Sequence, residues 1–220
     1  MTGVNNKLVT LIGGGGFIGR YVAQALLKAG ARVRIAQRDP RQAFFLKPLG
    51  ALGQTQFVAV DVTRPDTVAR AVEHADGVVN LVGSFEGNLD RIHVEGARAV
   101  AEAATRMGVS ALVHVSAIGA DAGSASNYAR TKGEAEAAVR EAFATATILR
   151  PSTVFGREDQ FINRFAGMIA RLPVVPVLRS GARFQPVYVG DVANAVVAGL
   201  SEPARFGGHT FELGGPEVLT

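Results

Sequence analysis

The feature that most restricts this chain is the run Gly13-Gly14-Gly15-Gly16-Phe17-Ile18-Gly19, set between an apolar strand and an amphipathic helix. Residues 7–12 read as a buried strand ended by glycines, and residues 17–29 as a helix with Ile18, Val22, Ala25 and Leu26 on one face. In that setting Gly13, Gly16 and Gly19 have distinct uses: a tight turn, close approach of backbone N–H groups to a pyrophosphate, and close helix–strand packing. The helix start adds unpaired N–H groups and the positive end of its dipole. A dinucleotide is therefore the expected ligand, with Phe17, Ile18 and Arg20 beside it.

The rest of the chain repeats the alternation. Strands are expected at 32–37, 56–60, 77–82, 111–116 and 146–149. Helices are expected at 42–49, 64–74, 90–107, 127–143, 160–171 and 192–200. Strands separated by helical stretches imply right-handed crossovers and an α/β, doubly wound parallel sheet of Rossmann type. With 48% hydrophobic and 19% charged residues, the chain has enough apolar material for a sizeable core. Residues 1–155 read as the dinucleotide-binding domain, and residues 156–220 as a partial substrate-lid region, where glycine and proline become frequent. Pro173-Val174-Val175-Pro176 reads there as a rigid apolar loop. No apolar stretch approaches the roughly 20 residues needed to span a bilayer, and residues 1–6 carry no signal-peptide pattern. Cysteine is absent, which excludes thiolate chemistry and permits a cytoplasmic location. The net charge of +4 comes from dispersed residues rather than a basic patch, so no nucleic-acid partner is expected. No metal site is expected either.

The end of the second strand selects the cofactor. An NAD site wants a carboxylate there for the ribose 2′-hydroxyl, whereas this chain has Gln37 followed by Arg38. A guanidinium suits a 2′-phosphate, and Arg20 is a second candidate for it, so NADP(H) is favoured. Asp39, two residues late, keeps NAD(H) as the alternative. Asp61 and Val62 fit an edge contact to adenine, or Asp61 caps the next helix. Asn80, Leu81, Val82 and Gly83 end the fourth strand and are expected to line the cofactor groove.

Tyr128 and Lys132 are one helical turn apart. An ammonium beside a phenol favours phenolate, which would let Tyr128 exchange a proton with a substrate oxygen. Together with the glycine turn, Asp61, Tyr128-Ala129-Arg130-Thr131-Lys132, Arg150-Pro151-Ser152-Thr153-Val154-Phe155-Gly156 and Val187-Tyr188-Val189-Gly190-Asp191-Val192-Ala193, the chain resembles the short-chain dehydrogenase/reductase superfamily, in its extended epimerase/dehydratase-like branch. Within it, His114-Val115-Ser116-Ala117-Ile118-Gly119, Gln185-Pro186-Val187-Tyr188 and Gly214-Gly215-Pro216-Glu217 are similar to the nucleotide-binding accessory subunits of respiratory complex I and their bacterial relatives. The resemblance implies that Lys132 holds the nicotinamide ribose and that Pro151 and Val154 wall the nicotinamide. It also implies further C-terminal helices beyond position 220, and a placement peripheral to the inner membrane beside a respiratory complex.

Three departures bear on catalysis. The hydroxyl position at the end of the fifth strand falls on Ala117, leaving Ser116 one residue early and hence on the opposite face of a strand. His93 stands where the branch often carries asparagine, and would donate to a main-chain carbonyl in its place. Phe184 stands near the position of a diphosphate-binding arginine, with Arg183 offset by one. The chain therefore reads as holding NADP(H) as a structural or redox-sensing cofactor, against the alternative of an active oxidoreductase, epimerase or dehydratase using Tyr128, Lys132 and Ser116. The helices at 90–107 and 127–143 either form a homodimer face or cover the sheet.

Overall fold

The computed structural model describes residues 3–171, 181 and 183–219. Its main sheet has seven parallel strands in the order β3-β2-β1-β4-β5-β6-β9. These strands are β1 (Leu8–Ile12), β2 (Arg32–Gln37), β3 (Thr55–Ala59), β4 (Gly77–Asn80), β5 (Ala111–Val115), β6 (Thr147–Pro151) and β9 (Thr210–Leu213). Every residue of β1, β4 and β5 is buried, as a parallel sheet covered on both faces requires. A two-stranded sheet pairs β7 (Val154–Phe155) with β8 (Val187–Tyr188).

One face is covered by α1 (Phe17–Lys28) and α6 (Val189–Ser201), whose Val22, Leu26, Val196 and Leu200 pack onto Val9, Leu11, Val113 and Val115. The other carries α2 (Pro65–Val72), α3 (Gly96–Arg106) and α4 (Asn127–Ala142) over Ile12, Val78 and Leu112. The alanines of α3 and α4, among them Ala97, Ala101, Ala104 and Ala135, are spent against the sheet. The last described helices are α5 (Ile162–Arg171) and the short α7 (Pro203–Phe206). No described helix is long and apolar enough to cross a membrane.

The expected alternation is present, with three differences. Residues 40–49 form a 3₁₀ segment rather than an α-helix; Asp39 caps it and Pro48 interrupts its donors. The helix expected at 90–107 begins as a π-helical segment, Asp90–Glu95, before α3. β9 had no signal: it is four residues long and only partly buried at the sheet edge. It and α6 place parts of the region after residue 155 inside the same layered unit as the glycine turn. The apolar loop expected at 173–176 lies outside the described residues.

A buried ion pair fixes α4 to the sheet. Glu136, one turn beyond Lys132, receives Arg150 through Nε–Oε1 at 2.9 Å and a second nitrogen–Oε2 contact at 2.8 Å. The carboxylate raises the Arg150 pKa. Paired donors in this fork geometry set the rotation of α4, and so the direction in which Tyr128 and Lys132 project.

Candidate functional site

Strand order reverses between β1 and β4, and the crevice at their carboxyl ends is where open α/β sheets bind ligands. Gly13 sits there with φ +84°, in the left-handed region, and a Cβ on it would approach the Leu81 carbonyl carbon to 3.3 Å. A Cβ on Gly19 would lie 2.4 Å from the Gly14 carbonyl oxygen, so only glycine lets α1 start against the turn. Gly16 is the N-cap of α1, and no side chain caps that helix or adds an acid to its first turn. Its first N–H groups are thus left for an anion, and the turn fits a pyrophosphate. Phe17 packs beside Gly156, and Ile18 on the core.

At the end of β2 the three candidates separate. Gln37 donates through Nε2 to the Asp39 carbonyl at 2.7 Å and lies over Gly15. Asp39 caps the 3₁₀ segment and holds the Arg41 guanidinium at 3.0 and 3.1 Å, which lowers its pKa. Arg38 is exposed and makes no hydrogen bond or ion pair among the described residues; its charge reaches Asp61 and helps to lower that carboxyl. Arg20 lies 3.6 Å from Glu158 and over the Phe45 ring, beside the chain that leaves β7. Its Nε is buried without a partner among the described residues.

Asp61 does not cap α2. Its Oδ1 accepts from the Thr63 N–H at 2.9 Å and hydroxyl at 2.8 Å, and these bonds are the main cause of its lowered pKa. The other carboxylate oxygen accepts no hydrogen bond among the described residues, and Val62 packs against Gly96. Arg91, on the π-helical segment, is the next cation near Asp61; only the folded path of that segment brings it there, and no pattern of residues announces it.

Asn80 is buried and accepts from the Val82 N–H at 3.1 Å, while Leu81 donates to the Ile12 carbonyl at 2.9 Å. This extended path turns the Val82 carbonyl toward Lys132, whose Nζ donates to it at 3.4 Å and to the Val115 carbonyl at 3.3 Å. Gly83 lies above the ammonium; a Cβ there would be 3.6 Å from Nζ. Burial lowers the Lys132 pKa to about 8, with Glu136 opposing. The expected coupling to Tyr128 is not found. Burial raises the pKa of that phenol, while the Lys132 ammonium donates to the two carbonyls. Phe85 stacks on the Tyr128 ring at 4.7 Å, another contact without a signal in sequence.

His93 also differs from expectation. Its Nε2 accepts from the Ser84 N–H at 3.0 Å, so Nδ1 carries the proton and donates to the Thr131 hydroxyl at 3.0 Å. It therefore receives a main-chain donor rather than supplying one. Burial first, and the Lys132 charge second, lower its pKa to about 4. Ser116 is buried with its Oγ unpartnered, whereas Ala117 is half-buried at the open end of the strand. The fully buried His114, two residues before Ser116 and on the same face of the strand, also lacks a partner at both ring nitrogens among the described residues. Burial, then Lys132, lowers it to about 3.

Pro151 ends β6 and is buried, with its carbonyl accepting from Ile118; Val154 pairs with Val187. Beyond them an open cavity of about 530 Å³ is lined by Ile118, Ser152, Arg183, Phe184, Glu212 and Val218, among others. Arg183 and Phe184 thus face one space, although Phe184 also pairs with Leu219 through its backbone. Among the described residues no acidic or histidine cluster could hold a metal.

A family model described as the NAD dependent epimerase/dehydratase family matches residues 9–214. A curated relative, NADH dehydrogenase [ubiquinone] 1 alpha subcomplex subunit 9, mitochondrial, from Mus musculus, is 37% identical over 97% of this chain and 58% of its own length. Ceramide reductase from Caulobacter vibrioides is 34% identical over 89% of this chain and 62% of its own. The chain thus spans less than two thirds of either relative. Among solved structures, Pen from Bacillus thuringiensis superposes with a TM-score of 0.82 at 23% identity, covering 99% of this chain and 71% of that one. That likeness concerns the fold.

Proposed function

Because the chain belongs to the NAD dependent epimerase/dehydratase family, we propose that it holds NADP(H) as a structural or redox-sensing cofactor, peripheral to a membrane respiratory complex. The observation that carries this reading is the division between an intact phosphate turn and a phenol whose pKa burial raises rather than lowers. Gly13, Gly16 and Gly19 keep the crevice open to a pyrophosphate, while the Lys132 ammonium is bound to two carbonyls and Phe85 covers one face of the Tyr128 ring. Ala117 supplies no hydroxyl beside them. NADP(H) over NAD(H) is supported at the end of β2, where Asp39 is committed to Arg41 and Arg38 is not committed. Asp61, through its unpartnered oxygen, is assigned to the adenine edge, and Lys132 to the nicotinamide ribose. Pro151 and Val154 form the nicotinamide wall. The complex I partner follows from the name of the Mus musculus relative, over the part of it that this chain covers.

One observation favours a second reading, an active oxidoreductase: the part-apolar cavity beside Ser152, in a chain similar to a ceramide reductase. The two separate in one experiment. NADPH-loaded protein is offered long-chain and short-chain carbonyl compounds while nicotinamide absorbance is followed, alongside Tyr128→Phe. The proposal expects no turnover above background in either. Turnover in the native protein that Tyr128→Phe reduces by about a hundredfold or more, the scale of a lost general acid, would overturn it.

A further inference from the structure

Helix α5 departs from the other long helices of the fold in having no buried residue. Its side chains nonetheless segregate. At 100° per residue, Ile162, Phe165, Ala166 and Ile169 fall in one sector, and Arg164 and Arg171 fall together opposite. Phe165 is 43% exposed and Ile169 66% exposed. Phe161 and Phe184, which touch each other and are also exposed, extend the apolar sector at one end.

Charge identifies what covers this face. The sequence from Gln160 to Gly190 contains four arginines and no aspartate or glutamate. The two preceding carboxylates are occupied: Glu158 accepts from the Tyr21 hydroxyl at 2.6 Å, and buried Asp159 caps α5 through Ile162 N–H at 2.6 Å and Asn163 N–H at 3.1 Å. Asn163 adds bonds to the carbonyls of Gly156, Arg157 and Asp159. These bonds fix the start of α5 on the chain that leaves β7. A protein groove would ask only for apolar complementarity. An apolar sector backed by arginines, in a stretch that itself carries no aspartate or glutamate, matches an anionic lipid headgroup layer.

We propose that α5 docks on the surface of an anionic phospholipid bilayer. Phe165, Ile169 and Phe161 enter the headgroup–acyl boundary, and Arg164, Arg171 and Arg183 lie among the phosphates. This docking is independent of the dinucleotide reading.

The chain contains no tryptophan, so Phe165→Trp gives a single fluorescent reporter. The protein is mixed with vesicles of phosphatidylcholine alone, or with roughly one third phosphatidylglycerol, which reproduces an anionic leaflet. Expected are a blue shift and co-sedimentation with the anionic vesicles, both weakened by salt. Neutralising both charges (Arg164→Gln with Arg171→Gln) should lower partitioning by roughly thirtyfold, since each basic residue at such a surface acts nearly independently. Phe165→Glu with Ile169→Glu should abolish it. Circular dichroism and a thermal melt of the same samples check that each variant is folded. No shift on anionic vesicles, with the fold intact, would overturn the proposal. A blue shift on adding NADPH without vesicles would instead identify α5 as a lid. A shift that grows with protein concentration alone would identify a second copy as the occupant; either result overturns it.

Discussion

Lowering the pH from 7 to 5 is expected to remove about 4 kcal/mol of folding stability, because two buried histidines must remain neutral in the folded chain. His93 and His114 are each depressed from 6.5, to about 4 and about 3 respectively, first by burial and then by the Lys132 charge. Between those values and 6.5 the unfolded chain binds protons that the folded chain refuses. Stability is therefore complete above about 6.5 and falls as the pH drops through the window. Each group contributes about 1.4 kcal/mol per pH unit below its unfolded value, or roughly 2 kcal/mol at pH 5. Urea unfolding at the two pH values measures the loss. His114→Leu should remove about half of it and cost little at pH 7, since the ring nitrogens it deletes have no partners. A stability unchanged between pH 7 and 5 would contradict the burial of both rings as uncharged groups.

Gly19→Val should abolish useful dinucleotide binding, lowering affinity by at least about a hundredfold, nearly 3 kcal/mol. Its Cβ would lie 2.4 Å from the Gly14 carbonyl oxygen, which is backbone and has no rotamer to yield. The turn must then move away from α1, taking with it the N–H groups that face the pyrophosphate. Overpacking of this kind also costs about 1–3 kcal/mol in folding. Calorimetric titration with NADPH gives the first effect, and a thermal melt the second. Native affinity in Gly19→Val would show that the anion is bound elsewhere.

The glycine turn and the sheet behind it were legible because each strand is a short apolar run and each helix carries one apolar stripe. β9 was not legible, since four half-buried residues at a sheet edge leave no periodicity. Nor was the π-helical segment at Asp90–Glu95, where an extra residue per turn leaves composition unchanged and still redirects His93 toward Ser84. In the site, spacing alone put Tyr128 and Lys132 on one face of α4. It could not show that Lys132 would satisfy two carbonyl oxygens at the ends of β4 and β5, because those come from strands distant in sequence. The contact of Arg20 with Glu158 was hidden for a similar reason, since Glu158 lies beyond the sixth strand. Phe85 stands in a loop without pattern, and its stack on Tyr128 is visible only in three dimensions. The offset between Ser116 and Ala117 was readable by counting. The closed, unpartnered position of the Ser116 hydroxyl was not.

The proposed selection of NADP(H) by Arg38 is tested most directly by titrating native protein and Arg38→Ala with NADPH and with NADH. Native protein should bind NADPH at least about tenfold more tightly than NADH, the scale of one charge-assisted phosphate contact. Arg38→Ala should erase most of that difference while leaving NADH affinity close to native. Equal losses for the two cofactors, or a native preference for NADH, would contradict the account.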